Sequence, residues 1–144
     1  MTTEQDRPVL DDPSGRAEAA DAVDRLVAVL QEGHDRADAN IFDRQFASDV
    51  LWGSPYGATL RGYDVLNPIH HSLKASGAAP PSQYHVVQLM SPMPGVVIAH
   101  VRRDDLTAEV DKRFSEMALY VLIKRDGQWW LAAGQNTRIT ERPA

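Results

Sequence analysis

An α+β fold, with helices laid on one face of an antiparallel sheet, is what this sequence predicts. Three observations carry it. Apolar residues recur at helical spacing through the first half, they alternate with a period of two from Gln83 onward, and Asp126-Gly127 marks a tight hairpin within that second region. The 144 residues suit one domain, and 43% hydrophobic with 24% charged residues is an ordinary globular profile.

Residues 1–16 mix four acidic side chains with Pro, Ser, Thr and Gly, and read as a flexible acidic tail ahead of one domain over 17–144. From Ala17 the spacing of Val23, Leu26, Val27 and Leu30 predicts a helix, with Gly33 as its stop. Asp38 is placed to cap a second, shorter helix through Ile41, Phe42 and Phe46, ending near Ser48-Asp49. Val50-Leu51-Trp52 reads as a strand, Ser54-Pro55-Tyr56-Gly57 as a turn, and Thr59-Leu60 as a second extended piece. Val65, Leu66, Ile69, His70 and Leu73 share one side of a third helix ending at Gly77. Pro68 is best accommodated if Asn67 caps that helix, because a proline in a helix interior costs about 3 kcal/mol.

Four strands complete the chain, at Tyr84–Leu89, Val96–Val101, Phe114–Lys124 and Gln128–Ile139. With Asp126-Gly127 as a hairpin tip, Trp130, Ala132, Gly134 and Asn136 fall on one face and Trp129, Leu131, Ala133 and Gln135 on the other. Both faces are largely apolar. Helices cover one, so the other is expected to meet a second copy in a homodimer.

Asp38 between two helices, Asp49 opening a strand, Gly62 before the third helix, Asp126-Gly127-Gln128-Trp129 at the last turn and Gln135-Asn136-Thr137 near the end carry a family resemblance. Together they resemble the nuclear transport factor 2-like superfamily over roughly residues 17–140. The ending from Trp129 to Thr137 resembles its SgcJ/EcaC branch, relatives of the SnoaL-like polyketide cyclases that include proteins of enediyne biosynthesis clusters. The resemblance implies a cone-shaped, cystatin-like arrangement in which a curved antiparallel sheet wraps around three N-terminal helices, a pocket between helices and sheet, dimerisation through the sheet, and no required cofactor. It also implies secondary metabolism, antibiotic biosynthesis included, with oxidoreductase or cyclase as the activity attached to the branch. The Asp or His pair that the cyclases carry near the ends of two late strands is missing, and Gly134 stands where a carboxylate would be expected.

Several functions are excluded by composition. A net charge of −5, with scattered Lys and Arg, does not suit a nucleic-acid partner. The absence of cysteine removes disulfides, thiolate nucleophiles and thiolate metal sites. The N-terminus lacks a basic start and apolar stretch, and no run reaches membrane-spanning length, so a cytoplasmic location is expected. No phosphate loop, nucleophile elbow or zinc spacing occurs.

His100, His70 and Glu116 are the catalytic candidates. Each sits among apolar residues, where a histidine titrates near neutrality and a desolvated carboxyl has a raised pKa. The structural alternatives are a hydrogen-bonded core histidine and, for Glu116, an ion pair with Arg102 or Arg113. Trp52 and Tyr56 are expected at a ligand's edge, with Trp130 as an aromatic wall. Gln135 and Asn136 point to opposite faces, and Asn136 suits the pocket because Ala132 and Gly134 leave room beside it. The expected ligand is an apolar small molecule, either acted upon or merely carried.

Overall fold

The computed structural model describes residues 6–140. Helix α1 (Arg16–Asp35) buries one stripe, Ala19, Ala22, Val23, Leu26 and Leu30, completely. It runs past Gly33, which packs rather than terminates. A Cβ at Gly33 would lie 2.4 Å from the Phe42 amide nitrogen, so a bare Cα is what lets α2 (Ala39–Phe42) close onto α1. Asp38 caps α2 as expected, its Oδ1 accepting from the Asn40 and Ile41 N–H groups at 2.9 and 3.1 Å.

α2 is shorter than its sequence predicts, and β1 (Phe46–Gly53) begins ahead of Val50. The backbone is recruited by the sheet: Leu131 N–H donates to Gln45 O at 2.7 Å, and Phe46 lies in register with Leu131. β2 (Thr59–Arg61) folds back on β1. α3 (Tyr63–Ala75) starts after Gly62, whose φ of 103° favours glycine, and contains Pro68 in its interior. A start at Asn67 is thereby corrected. Leu66, 1% exposed, anchors the extra turn, and the Asn67 side chain is engaged by Asp43 and Asn40 instead of capping.

β3 (Ser82–Met93), β4 (Val96–Asp105), β5 (Glu116–Arg125) and β6 (Gln128–Arg138) complete one six-stranded sheet of order β2-β1-β6-β5-β4-β3. Neighbours are antiparallel, except that β1 and β6 run parallel. Register shifts in β1, β3 and β6 bend the strands. The open, curved sheet packs α1 against β3 and β4 on its concave side.

One shift decides which residues face inward. Val121 pairs with Ala133 but Leu122 pairs with Leu131, leaving Ala132 as an extra residue that exchanges the faces of β6. Trp129, Leu131, Gly134 and Asn136 therefore share the concave side, while Trp130 and Gln135 lie on the convex side with Leu119 and Ile123. The uninterrupted alternation read from the sequence, which joined Trp130 to Asn136, is corrected by this bulge.

Of the tail expected over 1–16, residues 1–5 lie outside the described residues. Residues 11–15 are fastened to β3: Asp12 N–H donates to Ser91 O at 2.7 Å and Ser91 N–H to Asp11 Oδ1 at 2.9 Å. Among the described residues no helix is long and apolar enough to cross a membrane.

Candidate functional site

The concave side of the sheet, α3, the turn after β1 and the segment before β3 enclose a cavity of about 640 Å³, the size of a small-molecule site. Its lining is mainly apolar: Phe42, Trp52, Leu60, Leu66, Ile69 and Val101 contribute from five separate elements. Polar groups enter at three places.

The most buried is His70, on the inward face of α3, enclosed by the rings of Phe42, Trp52 and Phe46 at 5.4, 5.5 and 6.1 Å. Its Nδ1 lies 2.6 Å from Oδ1 of Asp43, a carboxyl with no solvent exposure at the end of α2. The second oxygen of Asp43 accepts from Asn67 Nδ2 at 3.0 Å. A carboxylate only accepts, so Nδ1 carries the hydrogen, and whenever the ring is uncharged its lone pair lies on Nε2. Among the described residues Nε2 has no hydrogen-bond partner, and the ring lines the cavity. Asp43 thus fixes tautomer and orientation together, and a ring so held can accept a proton at Nε2 and return it.

The second group is centred on Arg103, from β4. It donates to Ser82 Oγ at 2.7 Å, to Phe114 O at 2.5 Å and to Glu116 Oε1 at 3.1 Å. Glu116 lines the cavity as the counterion of Arg103, not of Arg102 or Arg113. Beside them stand Tyr84 and Tyr120, whose hydroxyl pKa values burial pushes up, so both remain donors at neutral pH.

The third group is at the mouth. His34 Nε2–H donates to Pro80 O at 2.7 Å, and burial lowers the ring's pKa, which favours the neutral form. Lys74, one turn after His70 on α3, places Nζ 4.2 Å from the centroid of the Phe42 ring.

The cavity brings together five of the sequence-predicted residues. His70 and Glu116 are placed as above. Trp52, 8% exposed, is both core and wall; Tyr56 sits exposed at the rim beside Phe114 at 5.7 Å. Asn136 is buried and donates from Nδ2 to Gly53 O at 3.3 Å. The other three do not reach it. His100 alternates away from Ala99 and Val101 onto the convex side, outside the cavity, where Gln88 Nε2 donates to its Nδ1 at 3.0 Å. Trp130 and Gln135 are turned out by the Ala132 bulge, and neither forms a pocket wall.

Sequence reasoning missed Asp43, Asn67, Lys74, Arg103, Tyr84 and Tyr120. Asp43 carries a faint signal, an acid between Phe42 and Phe46 in a segment otherwise destined for the core. Its pairing with a residue 27 positions later has none. Among the described residues no group of three or more His, Cys, Asp or Glu side chains is arranged to hold a metal ion.

No family model and no curated protein matches the chain. Solved structures do. A domain of unknown function with a cystatin-like fold from Nostoc punctiforme superposes with a TM-score of 0.76 at 15% identity, covering 85% of this chain and 78% of that one. An NTF2-like protein of unknown function from Pseudomonas putida gives 0.71 at 13% identity, with coverages of 85% and 87%. A protein with a cystatin-like fold from Caulobacter vibrioides gives 0.67 at 18%, with coverages of 86% and 92%. Similarity at such identities speaks for architecture alone, and it establishes that this chain has the α+β, cystatin-like fold of the nuclear transport factor 2-like proteins.

Proposed function

We propose that the protein binds an apolar small molecule in the concave cavity and moves a proton on it, with His70 as general acid and base. The observation that carries the reading is the Asp43–His70 pair at 2.6 Å, buried in the wall with Nε2 unpartnered among the described residues. His70 Nε2 takes a proton from carbon beside a carbonyl, forming an imidazolium and an enolate. The Tyr84 and Tyr120 hydroxyls, kept protonated by burial, line the same cavity and donate to the charged oxygen. The imidazolium then returns its proton to another atom of the ligand. Nothing is oxidised or reduced, and no cofactor enters.

The resemblance to the SgcJ/EcaC branch supports a polyketide or enediyne-type intermediate as ligand and a place in secondary metabolism. Exposed Leu119 and Trp130 on the convex side, 41% and 37% accessible, support a homodimer through the sheet, which light scattering of the purified protein tests. A carrier reading is favoured by one observation: Arg103 and Glu116 are already paired, so much of the cavity's charge is satisfied before a ligand arrives.

Deuterium loss from 2-tetralone labelled beside its carbonyl separates the two. An enzyme accelerates washout above buffer and loses that acceleration on His70→Gln; a carrier binds the ketone and leaves washout unchanged.

A further inference from the structure

Lys74 is the cavity's unpaired cation. The other lysines, Lys112 and Lys124, meet Glu109 at 3.1 Å and Glu18 at 2.6 Å on exposed surface. Lys74 has no ion pair or hydrogen bond among the described residues, although it lines a mainly apolar cavity. Its Nζ rests over Phe42, the ring that also flanks His70. Residues 70 and 74 lie one helical turn apart and share a face of α3. Arg103 is committed to Glu116, and His34 to Pro80.

We infer that the ligand carries a carboxylate on one end of its apolar body, that Lys74 pairs with it at the mouth, and that this contact sets the distance to His70. The inference rests on the cavity being the small-molecule site proposed above. A desolvated ammonium with no protein carboxylate in ion-pair contact is stabilised most by an anion brought by the ligand. Burial also lowers the Lys74 pKa, against the raising effect of Asp43, which is the direction expected of a cation still lacking a counterion. In a chain of net charge −5, long-range attraction does not recruit anions, so selectivity for one must come from such a local group.

Calorimetric titration with 2-naphthoate and its neutral isostere 2-naphthamide tests this. Naphthoate should bind about tenfold more tightly than naphthamide, the size of one charge-assisted contact. Lys74→Met should erase that preference, and Lys74→Arg should retain it. Equal affinities in the wild type, or a preference surviving Lys74→Met, overturns the inference and leaves the cavity reading standing. Binding of neither compound defeats both.

Discussion

Asp43 Oδ1 and His70 Nδ1 meet at 2.6 Å across 27 residues of sequence, joining the end of α2 to the inward face of α3. The contact does two things: it satisfies a carboxylate with no access to water, and it turns the lone pair of the ring to Nε2. Replacing His70 by Gln should lower turnover by about 10²- to 10⁴-fold, the worth of a positioned acid–base group, with ligand affinity unchanged. Asp43→Ala should cost about 1–3 kcal/mol of stability, because it leaves the His70 Nδ1–H and the Asn67 amide without their buried acceptor. Denaturant titration of both variants, beside the turnover assay, separates these effects.

A second prediction concerns the joint between the first two helices. At Gly33 a Cβ would lie within 2.4–2.7 Å of the backbone and Cβ of Phe42, which has no flexible end to swing aside. Gly33→Ala should destabilise by about 1–3 kcal/mol, despite alanine's better helix propensity. A thermal melt that shows Gly33→Ala more stable than wild type would refute the close approach.

These two contacts show what a sequence discloses about such a chain. The stripe on α1, the Asp38 cap and the Asp126-Gly127 hairpin were legible because each is written in neighbouring residues. The site was only half legible. Trp52, His70 and Asn136 were read from local spacing, but their meeting depends on pairings far apart in the chain. Ala132 looks like any strand residue, yet as the extra residue of a bulge it exchanges the faces of β6 and turns Trp130 out. Asn67 misled because it suits a cap before proline, whereas its amide is held by Asp43. Local preference yielded to a buried carboxylate's need for donors.

Gly134 offers a prediction on the cavity itself. An added Cβ would stand 2.9 Å from the Tyr120 ring and 3.1 Å from Trp52 Cζ3. Gly134→Ala should displace these two wall residues and weaken binding of a neutral probe such as 2-naphthamide by roughly tenfold, about 1.4 kcal/mol. Calorimetry giving wild-type affinity for this variant would place the ligand elsewhere.

The pH dependence follows from His34. Burial holds its pKa below the usual value; the Pro80 carbonyl opposes this by favouring the charged ring, and Lys74 and Arg103 add to the depression. The unfolded chain therefore takes up more protons as pH falls below about 6.5, and stability falls with it until the folded-state pKa is passed. Above that range the contribution is fully present. His34→Gln should flatten this segment of the stability curve, measured by urea titration between pH 7.5 and about 5. An unchanged slope would show that the ring is not held neutral.

Nitrogen NMR of the His70 ring should show hydrogen on Nδ1, a bare Nε2, and a large Nε2 shift when 2-naphthoate is added. A ring protonated at Nε2 with Nδ1 bare, or an Nε2 resonance indifferent to the ligand, would contradict the proposed role of His70.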